Sequence, residues 1–208
     1  MIQERLQSTY GVGVIACLGL HPWWVSRQSD SQLIAAVDVF AKLAPQASGI
    51  GEIGLDHSSR YQDPESRRLQ SVAIQRALEI VQKIQKPLVL HVVQAHSEML
   101  TLLDQWGPFP RGGMIHGFSG SLEIARAYMK RGFLISIGKG ILKPGFVQLK
   151  KAAPLLPENK ILLETDSHEP ATLLTVAEAL SVIRKCNAPE LLTKTSLNLR
   201  RLFEIKGP

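Results

Sequence analysis

Six short apolar runs suited to strands alternate along this chain with longer stretches whose apolar residues recur at helical spacing. That βα repetition calls for a parallel sheet covered by helices. The strand candidates lie near residues 13–20, 48–53, 88–90, 113–117, 133–138 and 161–163. Helix candidates fall at 30–44, 64–85, 95–105, 121–131, 146–153, 171–186 and 188–204. In the first of these, Asp30 or Ser31 can cap, and Leu33, Ile34, Val37, Phe40 and Leu43 form one stripe. Pro64 suits a first helical turn, and Leu69, Val72, Ala73, Leu78, Ile80, Val81 and Ile84 repeat on an inner face before Pro87. A length of 208 residues, without a linker or low-complexity stretch, predicts a single domain over 1–208.

Four strand candidates deliver a metal-ligand residue type near their carboxyl ends: Glu52, His91, His116 and Asp166. One such histidine alone is usually a hydrogen-bonded loop residue. Four at the same end of successive strands point to a shared site, because functional side chains of parallel α/β folds gather there. A barrel brings every strand's contribution around one centre, whereas an open doubly wound sheet does not. The chemistry therefore favours a barrel.

Composition narrows the setting. A formal charge of +6 suits a polyanionic partner, although mild basicity alone is common. Cys17 and Cys186 stand far apart and lack metal-type spacing, which predicts two reduced thiols. No long apolar segment and no apolar leader occur in the sequence, so no membrane association and a cytoplasmic location are expected.

Five segments carry a resemblance. Gly19-Leu20-His21-Pro22, Gly51-Glu52-Ile53-Gly54-Leu55-Asp56, Pro87-Leu88-Val89-Leu90-His91, His116-Gly117-Phe118-Ser119-Gly120-Ser121 and Leu162-Leu163-Glu164-Thr165-Asp166-Ser167 follow in that order. Together they resemble the signature segments of the TatD family of metal-dependent hydrolases, distorted (β/α)₈ barrels commonly described as magnesium-dependent deoxyribonucleases. The resemblance implies that Glu52 bridges two metal ions, that His91 and His116 complete one, and that Asp166 serves the other and acts with Glu52 in catalysis. It also implies substrate contacts from His21, Ser119 and Lys139, with DNA or a small phosphodiester as partner. Mg2+ is the family's ion, and histidine ligands admit Zn2+ or Mn2+ as well.

The departures from the pattern shape further expectations. Family members open with a strand ending in His-x-His and a second βα unit, and this sequence shows neither ahead of Gly19. The expected fold is thus an incomplete TIM-like (β/α) barrel of about six parallel strands with surrounding helices. It should hold at most one metal well and self-associate through open barrel edges. Val93 stands where the family has arginine, and His168, a candidate substitute ligand, stands where it has proline. Two functions follow: a deoxyribonuclease-like hydrolase with weakened or lost activity, or a degenerate relative serving as a binding or assembly subunit. Trp23 and Trp24 suit the pocket rim or an interface, packed partly against the barrel top rather than stacking on bases. Lys143, Lys150 and Lys151 join Lys139 as candidate phosphate contacts, with a solvated basic face the simpler reading for Lys150 and Lys151.

Overall fold

The computed structural model describes residues 14–167, 169 and 171–205; His168 lies outside the described residues. Six strands form one wholly parallel sheet: β1 (Cys17–Leu18), β2 (Gly49–Asp56), β3 (Leu88–Val93), β4 (Gly113–His116), β5 (Phe133–Ile137) and β6 (Ile161–Leu163). Their spatial order is their chain order, β1 to β6. A doubly wound sheet would reverse direction part-way, so this is the course of a barrel. The sheet is not closed: among the described residues, β1 and β6 each pair with one neighbour.

The helices are α1 (Pro22–Val25), α2 (Asp30–Leu43), α3 (Pro64–Ile84), α4 (His96–Trp106), α5 (Leu122–Lys130), α6 (Val147–Ala152), α7 (Thr172–Arg184) and α8 (Ala188–Leu202). Local chemistry sets their starts. Ser29, not Asp30 or Ser31, caps α2: its extended backbone lets its hydroxyl accept from Gln32 N while the Gln32 side chain accepts from Ser29 N, a reciprocal capping box. Asp63 accepts from Ser66 N at 2.8 Å to cap α3, with Pro64 in its first turn as expected. Helix α1 has no counterpart among the sequence expectations, being one turn long.

The core lies between sheet and helices. Ile50, Ile53 and Leu55 of β2, Leu88 and Leu90 of β3, Ile115 of β4, and Phe133, Ile135 and Ile137 of β5 are fully buried against Ala77 and Leu78 of α3 and Leu180 of α7. The expected stripes are wider than the faces actually covered. Ile34, Leu43 and Val72 remain exposed, because α2 and α3 pack side by side and leave a groove lined by Ile34, Val37 and Val72 on their outer side.

Two strands outrun their expected ends. β2 continues to Asp56, where the Gln70 side chain takes up both the Asp56 N–H (2.7 Å) and its carbonyl (3.2 Å), and β3 continues to Val93, paired with Asp56. Glu52 and His91 consequently lie within strands rather than at their tips. His116 is the last residue of β4, and Asp166 lies beyond the end of β6 with a left-handed backbone (φ +47°).

Candidate metal centre

Register brings the site together. His91 and His116 are direct partners across β3 and β4, and His91 is also the partner of Gly54 on β2. The β2 register shifts between Ile50 and Ile53, and irregularities of this kind re-aim a side chain. Glu52 sits at that shift, with its Oε2 3.4 Å from His21 Nε2, 3.5 Å from His91 Nδ1 and 3.8 Å from His116 Nε2. Asp166 Oδ2 reaches His116 Nε2 at 3.9 Å from an exposed position.

Each histidine's second nitrogen decides its role. His91 Nε2 lies 3.1 Å from the buried carboxylate of Asp56, which can only accept, so the proton is there and the Nδ1 lone pair faces Glu52. His116 Nδ1 lies 2.9 Å from Glu164 Oε2, which leaves Nε2 turned toward Glu52 and Asp166. Both are carboxylate-oriented imidazoles of the kind that ligate metals. His21 is wired the opposite way. Its Nδ1 accepts from Trp23 N at 3.1 Å as the cap of α1, which places the proton on Nε2, toward Glu52. Spacing alone groups His21, Glu52 and His91, whose ligand atoms lie within 4.8 Å of one another. Proton placement favours Glu52, His91 and His116 instead, with His21 as a donor.

The electrostatics agree with a site short of a cation. Burial alone would raise the Glu52 pKa, but the imidazoles gathered around it, with the His21 N–H as donor and the charge of His116 beside it, hold its carboxyl well below the usual carboxylate range. Burial likewise opposes charge on His116, yet the Glu164 hydrogen bond and charge, with Glu52 and Asp166 behind, carry it up to about 9. Asp56 is held at about 2: its burial is outweighed by hydrogen bonds from Ser58, Trp23 and His91. Two imidazole nitrogens beside a pre-ionised carboxylate fit a divalent cation by donor chemistry, provided the cation displaces the Nε2 proton that the neighbouring carboxylates hold on His116.

Sequence reasoning missed Asp56 and Glu164 as site residues. Glu164 also accepts from Gly117 N at 2.8 Å and from the Ser136 hydroxyl, so one carboxylate ties β4, β5 and β6 together behind His116. The available signal was placement: Asp56 and Glu164 stand within the same short segments as Glu52 and Asp166. Ser119 follows β4 and Lys139 follows β5, on the ligand side of the sheet; neither side chain hydrogen-bonds or ion-pairs among the described residues.

Residues 3–204 match the model of the family described as TatD related DNase. The chain belongs to the TatD family. It is 31% identical over 206 residues to the 3'-5' ssDNA/RNA exonuclease TatD of Salmonella typhimurium, covering 90% of this chain and 76% of that protein. It is 26% identical over 204 residues to a Bacillus subtilis protein named uncharacterized metal-dependent hydrolase YabD, covering 92% and 78% of the two chains. The crystal structure of YjjV, a TatD homologue from Escherichia coli, superposes with a TM-score of 0.82 at 27% identity, covering 97% of this chain and 81% of that one. This TatD-family chain is thus a metal-dependent hydrolase by kinship. Among the described residues no helix is long and apolar enough to cross a membrane, and Cys17 and Cys186 are free thiols.

Proposed function

We propose that this protein is a divalent-metal-dependent phosphodiesterase that removes nucleotides from single-stranded nucleic acid, DNA first among them. The observation that carries this reading is the pair of carboxylate-oriented imidazoles, His91 on Asp56 and His116 on Glu164, whose free nitrogens face Glu52. Glu52, His91 and His116 would hold the cation, with the exposed Asp166 carboxylate 3.9 Å from His116 Nε2 beside it. A divalent ion supplies Lewis-acid polarisation of a phosphoryl oxygen and lowers the pKa of water. Asp166 accepts the proton of the attacking water as its oxygen bonds to phosphorus, the P–O bond to the departing sugar oxygen breaks, and that oxygen takes a proton from solvent. The His21 Nε2–H, which faces Glu52 in this structure, turns to a phosphoryl oxygen and keeps the diester in line. Ser119 and Lys139 add contacts to the neighbouring phosphate. The mixed imidazole and carboxylate set suits Mn2+ or Zn2+ alongside the Mg2+ expected for the family.

A second reading, a binding or assembly subunit without turnover, is favoured by Val93 at the end of β3, where no cation stands to pair with phosphate. Self-association is part of either reading. Its support is the edge of β1, which adjoins an apolar groove of about 510 Å³ lined by Leu18, Leu20, Trp24, Val39, Phe40 and Leu43.

Metal analysis of the purified protein, coupled to cleavage of an end-labelled single strand with Mg2+, Mn2+ or Zn2+, tests the hydrolase reading. Bound metal and stepwise shortening support it. Neither bound metal nor shortening with any of the three ions would replace it with the second.

A further inference from the structure

The rim of the site carries an aromatic platform that the metal chemistry leaves unused. Trp23 is 42% exposed, yet its ring centroid lies 5.0 Å from that of His21 and 5.7 Å from that of His91, both in edge-on contact. Its one polar atom is already engaged: Trp23 Nε1 donates to Asp56 Oδ2 at 2.6 Å, on the same carboxylate oxygen that holds His91. An exposed indole whose orientation is fixed from below presents apolar surface to incoming substrate with little rotamer entropy left to lose.

Arg60 supplies the charge. It sits on the 3₁₀ turn Ser59–Tyr61 that follows β2, its guanidinium 5.9 Å from the Trp23 ring centroid. It is exposed and makes no ion pair or hydrogen bond among the described residues. Arg68 is committed to Asp30 and Glu65, Arg131 to Asp104 and Arg111 to Glu204, whereas Arg27, Arg67 and Arg201 are, like Arg60, exposed and unpaired among the described residues. What sets Arg60 apart is its place against Trp23 at the site rim. A guanidinium without an ion pair, lying over one face of an exposed indole at the rim of a phosphodiester site, combines the two elements by which proteins hold single strands, a backbone cation and a stacking surface, provided Arg60 swings from the ring to the phosphate as the base enters. Bases inside a duplex have both faces covered by their neighbours, so the arrangement favours single strands over duplex interiors.

We propose that Trp23 and Arg60 form a nucleotide-binding subsite, in which Trp23 stacks on one nucleobase of a single strand and Arg60 pairs with the phosphate next to it. This rests on the phosphodiesterase reading for its substrate class and deepens it by naming what selects a nucleotide over a simple phosphodiester.

The test is equilibrium binding by fluorescence anisotropy, using cleavage-resistant phosphorothioate octathymidylate and an abasic phosphorothioate octamer, with the intact protein and Mn2+. The wild type is expected to prefer the base-bearing strand. Trp23→Leu should abolish the preference, bringing the roughly tenfold ratio between the two Kd values to one, whereas Trp23→Phe, which loses the same N–H contact to Asp56 but keeps a ring, should retain most of the ratio. Arg60→Ala should weaken both strands alike and flatten the salt dependence. Equal affinity of the wild type for the two strands, or no binding to either, overturns the proposal. So does a Trp23→Phe protein that behaves like Trp23→Leu, since the indole would then act only through Asp56. Base-selective binding without turnover would leave this subsite standing and remove the phosphodiesterase reading; turnover without base selectivity does the reverse.

Discussion

His91 Nε2 lies 3.1 Å from Asp56 Oδ2, and this single contact turns the other ring nitrogen of His91 toward Glu52. Asp56→Asn replaces an acceptor-only carboxylate with an amide that can also donate, so the imidazole loses its enforced tautomer. Metal affinity should fall by about 10- to 100-fold. Calorimetric titration with Mn2+ measures it, and an affinity equal to that of the wild type would refute the role given to Asp56.

Glu164 does for His116 what Asp56 does for His91, and it does so with a charge that shows in stability. Because the His116 pKa is raised from 6.5 to about 9 in the folded protein, its contribution is complete below pH 6.5 and is lost as pH rises through 9. The metal-free protein should therefore lose melting temperature across that window, and Glu164→Gln should flatten the loss. Thermal melts in chelator over a pH series provide the check. Parallel profiles for the two proteins would count against it.

Asp166 separates chemistry from metal binding. It is exposed and, among the described residues, reaches only His116, at 3.9 Å, so Asp166→Asn should leave metal affinity little changed. If Asp166 takes the proton of the attacking water, kcat drops by roughly 10² to 10⁴. Single-strand cleavage rates at saturating metal decide the point; a variant that binds metal poorly would instead make Asp166 a ligand.

Gly54 tests how tightly the site depends on strand packing. Its φ is +153°, and a Cβ there would lie 1.9 Å from the carbonyl oxygen of His91. Gly54→Ala must push β2 and β3 apart at the residue pair that positions His91. A loss of about 3 kcal/mol or more is expected from denaturant unfolding, together with weakened metal binding. A stable variant with wild-type metal affinity would show that the strands can give way freely.

The open edge bears on assembly. Val39 is 54% exposed in the apolar groove beside β1, and a charge placed there would oppose any partner that covers it. Sedimentation velocity of the wild type should show a concentration-dependent dimer that Val39→Glu removes. A wild-type monomer at all concentrations would rule out association through this edge.

The sequence by itself determined the parallel βα course, since periodicities of two and of 3.6 residues are written locally and need no distant partner. It also marked Glu52, His91, His116 and Asp166, whose residue types and positions near strand ends were visible without coordinates. Tertiary structure decided what each of them can do. An imidazole offers two nitrogens, and only the carboxylate that captures one of them, Asp56 35 residues from His91 and Glu164 48 residues from His116, leaves the other free for a cation. The same holds for His21, which its residue type makes a candidate ligand but which the Trp23 N–H turns into a donor. Such roles arise from hydrogen bonds across strands, and no local pattern in the chain encodes which nitrogen will be taken.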